Sequence, residues 1–252
     1  MFIIIILLII LLIIFISNYL KKKELINYFN SNNVIVFGKK GTGKDLLFNM
    51  ITNHKKFYYT NIPYTNKNYE LFNISDLKLG LNDYESLLNN NVIRTYWNFE
   101  ENCDFFISDG GVFLPSQYDA VLHKKYKGLS LIYALSRHIG NHNIHTNVQN
   151  LERLWKPLRE QADIYIKTLG ITKLPFLIKL NYRIYDKYSS AVADIRTIKS
   201  GIFKDSDNIK IQNANVGLVK EKSVLMLKSK IKYDTRYFKK VFVLEKEKEI
   251  NK

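Results

Sequence analysis

One segment of the chain indicates the class of fold: Asn33-Val-Ile-Val-Phe37, then Gly38-Lys-Lys-Gly-Thr-Gly-Lys44, then Asp45-Leu-Leu-Phe-Asn-Met-Ile-Thr52. Its first part is a short apolar run rich in β-branched residues, which predicts a buried strand. Its last part repeats apolar residues at helical spacing and therefore predicts a helix. The glycine-rich segment between them matches G-x-x-x-x-G-K, so it lies where a phosphate-binding loop (P-loop) must lie.

The residue types in this loop suit the binding of ATP and Mg²⁺. Glycines let the backbone wrap around phosphates, and the following helix offers its positive N-terminus. Lys44 supplies a point charge for the β- and γ-phosphates. Asp45 stands where Ser or Thr normally binds Mg²⁺; a carboxylate can bind the ion but also repels phosphates. The alternative is a structural glycine-rich turn. The predicted nucleotide-binding residues are Gly38, Lys39, Lys40, Gly41, Thr42, Gly43, Lys44 and Asp45.

A second candidate element is the segment Phe105-Phe-Ile-Ser-Asp109, an apolar strand that ends in a carboxylate. Such an Asp typically holds Mg²⁺ directly or through water, so Asp109 is a predicted metal ligand and catalytic residue, together with Asp45 as the second metal ligand. Gly110 follows, at the position where motor ATPases place a glutamate that orients water. Either another carboxylate polarises the water or hydrolysis is slow, and we expect Gly110→Glu to leave activity unchanged or to raise it.

The third element is the predicted strand Asn143–Val148, followed by Gln149. A polar side chain at the tip of this strand can contact the γ-phosphate, so Gln149 is a further catalytic candidate. An arginine can also complete a neighbouring subunit's site. Arg137 is the first choice for that role, ahead of Arg159 and Arg153; for each, a solvated helix arginine is the alternative.

An unbroken run of Ile, Leu and Phe extends from Phe2 to Ile16, and the apolar segment ends at Leu20. As a helix, residues 2–20 would span about 28 Å, close to the hydrocarbon thickness of a bilayer. Lys21–Lys23 follow, so we expect the N-terminus outside and the rest of the chain in the cytoplasm. The run lacks the features of a signal peptide. A buried core helix is the weaker alternative, because the segment has no polar face.

Strands that alternate with helices predict βαβ units, hence an α/β fold: a three-layer P-loop NTPase domain with a mostly parallel sheet. One transmembrane helix precedes it and a small β-rich region follows. The predicted divisions are residues 1–20 (anchor), 21–172 (P-loop domain) and 173–252 (basic C-terminal region). Further predicted strands are Phe57–Thr60, Val92–Trp97, Asp104–Ser108, Asp163–Thr168, Leu177–Tyr185, Asn208–Asn213 and one within Lys220–Lys232; predicted helices are Ser75–Leu88, Leu129–Ile139 and Leu151–Gln161.

Composition narrows the class of protein. The 252 residues are 46% hydrophobic and 24% charged, which excludes wholesale disorder. The single cysteine, Cys103, excludes a disulfide framework and a cysteine-based zinc site. The net charge of +15 favours polyanionic partners, either nucleic acid or an anionic membrane surface, although an AT-rich genome also enriches Lys, Asn and Ile.

The P-loop, the segment FFISDGGVFLPSQYD (105–119) and the segment LSRHIGNHNIHTNVQNLERLWKPLREQADIYI (135–166) occur in this order. This arrangement resembles the zonular occludens toxin-like proteins, the assembly ATPases of filamentous phages. The resemblance implies an ATP-driven protein of the host inner membrane that extrudes single-stranded DNA as a coated filament. It also implies a homo-oligomeric ring, with phage coat or export proteins and single-stranded DNA as partners. Asp45, Gly110 and the N-terminal anchor depart from the family pattern.

Three functions are compatible with these residues. The first is a membrane-anchored ATPase for phage assembly or DNA export. The second is a nucleotide-binding membrane scaffold that hydrolyses little ATP. The third is a small-molecule kinase or GTPase, for which the sequence shows no acceptor or base-specificity motif.

Overall fold

The computed structural model describes residues 2–72, 99–114, 127–192 and 221–228. Among these residues are the five α-helices and eight strands given below. The predicted elements Ser75–Leu88, Val92–Trp97 and Asn208–Asn213 lie outside the described residues. In chain order the elements are α1 (Phe2–Ser31), β1 (Val34–Phe37), α2 (Lys44–Thr52), β2 (Tyr58–Thr60), β3 (Tyr69–Leu71), β4 (Asp104–Ile107), α3 (Gly110–Phe113), α4 (Lys127–Gly140), β5 (Ile144–Val148), a 3₁₀ turn (Leu151–Arg153), α5 (Lys156–Glu160), β6 (Ile164–Lys173), β7 (Leu177–Tyr185) and β8 (Lys222–Leu227).

All eight strands belong to one sheet with the order β3-β2-β4-β5-β1-β6-β7-β8. The first six are parallel to one another, and β7 and β8 continue the sheet as antiparallel strands. Strand β1 lies in the middle, with Ile35 opposite Thr146 of β5 on one side and Tyr165 of β6 on the other. The carboxyl ends of β1, β4 and β5 therefore meet at one edge of the sheet, called here the site edge.

Helices cover both faces of the sheet, which confirms the predicted three-layer α/β fold. Because side chains alternate along a strand, β1 contributes to two cores. Ile35 and Phe37 belong to one core, together with residues of α4 and α5. Val34 and Val36 belong to the other, together with residues of α1 and α2.

Helix α1 continues well past the predicted end of the anchor at Leu20. Its first half is exposed, whereas Leu25 and Phe29 have no exposed surface and lie in the α1/α2 core. Lys21–Lys23 interrupt the apolar composition but not the helix, because lysine is a good helix former. By length and composition, Ile3–Ser31 is the one helix of the described residues that could cross a membrane.

Helix α1 also closes the sheet at its β8 edge. The Asn18 side chain accepts a hydrogen bond from the Leu225 N–H at 2.7 Å and donates one to the Leu225 carbonyl at 3.1 Å. Six residues further along the helix, Glu24 pairs with Lys222 at 2.5 Å. A free edge strand exposes unpaired backbone groups, so these contacts attach α1 to the domain and protect that edge.

The prediction of one helix over Leu151–Gln161 is wrong. The chain forms a 3₁₀ turn over Leu151–Arg153 and then the separate helix α5. Pro157 lies in the first turn of α5, where its missing N–H costs nothing; further inside a helix its ring would clash with the preceding turn. The proline therefore fixes the start of α5 and breaks the longer helix.

The division at residue 172–173 remains a prediction. It falls within the last residues of β6, which runs to Lys173. The two described strands beyond it, β7 and β8, pair with β6 and with each other in the same sheet.

Candidate nucleotide-binding site

The P-loop leaves the carboxyl end of β1 and enters α2, as the sequence predicts. Two of its glycines are required by the space around them. A Cβ on Gly38, at φ +154°, would lie 2.6 Å from the Thr168 carbonyl oxygen. A Cβ on Gly43, at φ +96°, would lie 2.7 Å from side-chain carbons of Ile171 and Leu180. Strands β6 and β7 thus pack so tightly against the loop that only glycine fits at both positions.

Lys44 is buried at the first position of α2. Its Nζ donates hydrogen bonds to the carbonyls of Gly38 and Lys39, both at 3.1 Å. Burial lowers the pKa of the Lys44 ammonium, and the nearby carboxylates of Asp45 and Asp109 oppose that shift. The ammonium therefore lies across the mouth of the loop, where an incoming phosphate can replace the two carbonyls.

Asp45 and Ser108 meet at the centre of the site edge, although 63 residues separate them. Ser108 Oγ donates to Asp45 Oδ1 at 3.2 Å, and Asn147 Nδ2 donates to the same oxygen at 2.7 Å. Burial raises the pKa of the Asp45 carboxyl, Asp109 adds to this, and the Asn147, Lys44 and Ser108 contacts oppose it. A cation bound at Asp45 would offset the cost of burying this charge.

Asp109 follows β4 and is half-buried in the left-handed backbone region, at φ 51°. Its N–H donates to Asn147 Oδ1 at 2.9 Å, so Asn147 holds both Asp45 and Asp109. The structure thus brings together the predicted residues Lys44, Asp45 and Asp109.

The site suits Mg²⁺ bound together with a nucleotide. The described residues contain no cluster of three or more His, Cys, Asp or Glu side chains that would form an all-protein metal cage. Magnesium usually binds one or two carboxylates and takes its other ligands from phosphates and water. Asp45 and Asp109 supply that number of carboxylates, and the bound ion would neutralise charge on the phosphates.

The other predicted site residues have different positions. Gln149 follows β5 directly and is exposed. It lies beside the P-loop, since the carbonyl of its neighbour Val148 accepts a hydrogen bond from the Gly38 N–H. Arg137 lies at the opposite edge, where it pairs with Asp163 at 2.5 Å. Arg159 is buried, with its guanidinium 4.8 Å from the Tyr188 ring centroid. Arg153 is exposed in the 3₁₀ turn that follows β5. Of the three, Arg153 lies nearest to the P-loop within one chain, and the predicted order of preference for an arginine that acts on a neighbouring subunit stays a prediction.

Three contributors to this site were missed by the sequence analysis: Asn147, Ser108 and Thr168. Asn147 and Ser108 are fully buried, and Thr168 Oγ1 bonds Thr42 Oγ1 at 2.7 Å to brace the loop. The available signal was the polar composition of the predicted strand Asn143–Val148, because a buried polar side chain needs a partner.

Gly110 offers no space for a side chain, which speaks against the expectation that Gly110→Glu leaves activity unchanged or raises it. A Cβ there would lie 2.4 Å from Thr146 Cγ2, whereas one on the exposed neighbour Gly111 would meet nothing within 4 Å. We expect Gly110→Ala to lower the free energy of unfolding by about 1–3 kcal/mol through overpacking. Thermal unfolding measures this, with Gly111→Ala as the matched control. Equal stability of the two variants would contradict it.

Fold and site together define a P-loop nucleotide-binding architecture. No protein-family model matches the chain, and no curated protein matches it. Solved structures do match. The genome packaging NTPase B204 from Sulfolobus turreted icosahedral virus 2, in complex with ATPγS, is 14% identical, over 64% of this chain and 94% of that one, with a TM-score of 0.38. The N-terminal domain of zonular occludens toxin from Neisseria meningitidis is 13% identical, over 83% and 98%, with a TM-score of 0.40. Because these scores are low, the function proposed below relies on the chain's own residues.

Proposed function

We propose that this protein is a membrane-anchored P-loop ATPase that drives filamentous phage assembly and extrusion, or the export of single-stranded DNA. The observation that carries the proposal is the site edge itself. There a buried lysine lies across a glycine loop, beside Asp45 and Asp109, and Asn147 hydrogen-bonds the carboxylate of the first and the backbone N–H of the second. Phosphoryl transfer depends mainly on positioning and on electrostatic stabilisation, and these groups supply both.

ATP and Mg²⁺ are the ligands that this site suits. The loop amides and Lys44 would hold the β- and γ-phosphates, while the carboxylates at the site edge would hold the ion. Gln149 is exposed next to the loop, where its side chain can reach a γ-phosphate. When bound, Mg²⁺ would supply charge neutralisation for the transferred phosphoryl group.

We place the anchor in the host inner membrane, with the ATPase domain in the cytoplasm. Helix α1 supports this because it is a single helix that is apolar and exposed at one end and packed into the domain at the other. A domain attached in this way would remain at the membrane surface throughout its catalytic cycle.

The proposed orientation predicts a protease pattern. Because Lys21–Lys23 favour the cytoplasmic side, protease added to spheroplasts, in which the outer face of the inner membrane is accessible, should leave residues 24–252 undigested. Immunoblotting of a C-terminal tag measures this, and detergent-permeabilised spheroplasts provide the control in which digestion must occur. Digestion of the domain in intact spheroplasts would contradict the topology and its access to cellular ATP.

A homo-oligomeric ring that handles single-stranded DNA and phage coat or export proteins is the assembly that we propose. The net charge of +15 supports a polyanionic partner. Of the three candidate arginines, exposed Arg153 is the one that lies at the site edge and could reach a neighbouring subunit. The sequence resemblance to phage assembly ATPases supports the same assignment.

Turnover of ATP by the full chain in detergent or nanodiscs tests the proposed function. We expect Mg²⁺-dependent hydrolysis that single-stranded DNA stimulates, and we expect Asp109→Ala to remove it. Tight ATP binding with no turnover, even with DNA present, would replace the motor by the nucleotide-binding scaffold. Absence of ATP binding would contradict both functions.

A further inference from the structure

The first inference concerns the pair Asp45 and Ser108. In P-loop NTPases the residue after the loop lysine is a Ser or Thr, a strand-end Asp supplies the carboxylate, and the two hold Mg²⁺ together. In this chain the residue after the loop lysine is Asp45, which carries a carboxylate, and the residue directly after strand β4 is Ser108, which carries a hydroxyl. The two side chains are in hydrogen-bond contact at 3.2 Å.

We propose that the hydroxyl and the carboxylate have exchanged positions: Asp45 binds the metal ion, Ser108 orients Asp45, and Asp109 orients the attacking water. The inference rests on the proposed ATPase function and assigns roles within that site. Of the two carboxylates assigned to the metal ion above, it keeps Asp45 as the ligand and gives Asp109 the role of a general base instead.

The hydrogen bonds of Ser108 fit a positioning role. Ser108 is fully buried whereas Asp45 is partly exposed, so a ligand from solution can reach Asp45 but not Ser108. Its Oγ donates to Asp45, lies 3.1 Å from Asn147 Nδ2, from which it accepts, and also contacts the Tyr64 hydroxyl. Among the described residues, both hydrogen bonds to Asp45 reach Oδ1, which leaves Oδ2 for a cation.

The position of Asp109 fits the role of a base. With Ser108 at the strand-end position, the next residue is a carboxylate, and Gly110 packs against Thr146 instead. The Asp109 N–H is fixed by Asn147, while its half-buried carboxylate is close enough to influence Lys44 and Asp45. In the step itself, water forms a bond to the γ-phosphorus and passes a proton to Asp109. The bond from phosphorus to the β–γ bridging oxygen breaks, ADP leaves with that electron pair, and the proton then moves to phosphate.

A reciprocal exchange tests the pair. The measurement is Mn²⁺ binding to the full chain with ATPγS, followed by the electron paramagnetic resonance signal of free Mn²⁺. We expect Asp45→Ser to weaken Mn²⁺ binding at least tenfold, and Asp45→Ser/Ser108→Asp to restore it to within about threefold of wild type. Unchanged binding in the single variant, or no recovery in a folded double variant, would overturn the exchange. If wild type binds no nucleotide, the proposed function fails instead.

The variant Asp109→Asn tests whether Asp109 is a base or a metal ligand, even if the double variant does not fold. As a base, Asp109 affects the chemical step and not the ion, so Mn²⁺ affinity should stay within about twofold while ATP turnover falls at least a hundredfold. Loss of Mn²⁺ affinity would make Asp109 the metal ligand and overturn the exchange.

The second inference concerns the β6–β7 turn and is independent of the nucleotide site. The turn exposes apolar side chains: Phe176 is 82% exposed and Leu174 38%, and Leu227 at the adjacent end of β8 is 48% exposed. Lys173 and Lys228 flank them and are exposed as well. Contiguous exposed apolar side chains often mark a contact surface.

Two contacts show where this turn lies relative to α1. Lys222 forms an ion pair with Glu24, and the Asn18 side chain hydrogen-bonds the backbone of Leu225. The strand rises about 10 Å from Lys222 to Leu225, and the helix rises about 9 Å from Asn18 to Glu24. Because the later strand residue contacts the earlier helix residue, β8 runs alongside α1 in the opposite direction. Lys228, whose N–H donates to the Phe176 carbonyl at 3.1 Å, is three residues further on. It therefore lies about 10 Å beyond Asn18, near the level of residue 12 of the apolar run.

We infer that the apolar tip formed by Leu174, Phe176 and Leu227 inserts into the lipid bilayer beside α1. This inference rests on the proposed membrane anchor. Counted from Leu20, where the apolar segment ends, the tip lies about 13 Å into the bilayer beside an upright helix, and helix tilt brings it closer to the surface. The Lys228 ammonium has a partner within the turn, because it donates a hydrogen bond to the Pro175 carbonyl at 2.9 Å, and the exposed Lys173 stem can extend toward the phosphate headgroups.

Spin labels at single cysteines test this insertion in vesicles of phosphatidylethanolamine and phosphatidylglycerol, with Cys103→Ala in the background. We expect the label of Phe176→Cys to be accessible to oxygen and shielded from a water-soluble nickel chelate. The matched control is Glu221→Cys at the far end of β8, where the chelate should reach the label.

The outcomes separate the anchor from the tip. A label at Leu12→Cys that is exposed to the chelate would contradict the membrane anchor itself. A shielded label at position 12 with a chelate-accessible label at position 176 would overturn the insertion alone. A label at position 176 that neither reagent reaches would place it against protein, which also overturns insertion into lipid.

Discussion

Lys44→Ala is expected to lower the affinity of the full chain for ATP by about 100-fold. A hydrogen bond to a charged group contributes about 1.5–3 kcal/mol, and every 1.4 kcal/mol is a factor of ten in affinity. Because the Lys44 ammonium already lies across the loop mouth, a bound phosphate would gain this interaction without rearrangement of the chain. Titration with a fluorescent ATP analogue measures the loss.

Lys40→Ala is the matched control for this variant. Lys40 lies in the same loop and carries the same charge, but its side chain is exposed. We expect its replacement to change ATP affinity by less than about threefold, since exposed charges are screened. Unchanged affinity in Lys44→Ala would mean that the loop is a structural glycine-rich turn. Equal losses in both variants would mean that only the general positive charge of the loop matters.

The part of the site that could be predicted from the sequence is the part that is local in the chain. The strand, the glycines and Lys44 lie within 12 consecutive residues. Each residue type indicates its role there: apolar residues form a buried strand, glycines allow the loop to wrap around phosphates, and the lysine supplies a positive charge. The alternation of strands and helices likewise predicts the layered fold, because each element's periodicity shows which face it buries.

The partners of Asp45 could not be predicted, because they come from distant strands. Asn147 is 102 residues away and Ser108 is 63 residues away. Only the strand order, with β5 between β1 and β4, brings these two side chains to the same carboxylate. Sequence patterns do not fix that order.

Gly110 shows a different limit of sequence reasoning. Counting positions along the motif suggested a site for a glutamate, whereas the chain turns at Asp109 and directs Gly110 toward β5. Arg137 illustrates the same limit. Its place on helix α4 is as predicted, but the helix end that carries it lies at the far edge of the sheet, beside Asp163.

The second large effect is expected in the core, where Lys55 and Asp104 form an ion pair. Lys55 Nζ also donates to Asn30 Oδ1 at 2.8 Å, so the pair joins the segment before β2 to the end of α1. His145 Nε2 lies 3.7 Å from the same Asp104 oxygen. Burial alone would raise the pKa of Asp104, but His145 and Lys55 hold it to about 2.

We expect Lys55→Ala to lower the free energy of unfolding by about 3–5 kcal/mol, because it leaves an uncompensated buried carboxylate. That is a large part of the roughly 5–15 kcal/mol by which native proteins are stable. Urea unfolding of the full chain in detergent measures the change. Lys56→Ala, at the exposed neighbouring position, should stay within about 0.5 kcal/mol of wild type.

The double variant Lys55→Met/Asp104→Asn separates the lost charge partner from lost packing. Asparagine keeps the oxygen that accepts from Asn143 Nδ2 at 3.0 Å, while neither residue carries a charge. If the unpaired carboxylate causes the loss, the double variant should regain more than half of it, since removing both charges from a buried pair is often close to neutral.

The pH dependence of unfolding gives a second test of the same explanation. In wild type the folded pKa of Asp104 is below its ordinary value, so its contribution is present at neutral pH and lost only as the pH falls toward 2. Lys55→Ala should move that acid loss to higher pH. A double variant as unstable as the single one, with an unmoved acid limb, would assign the effect to packing of the lysine stem.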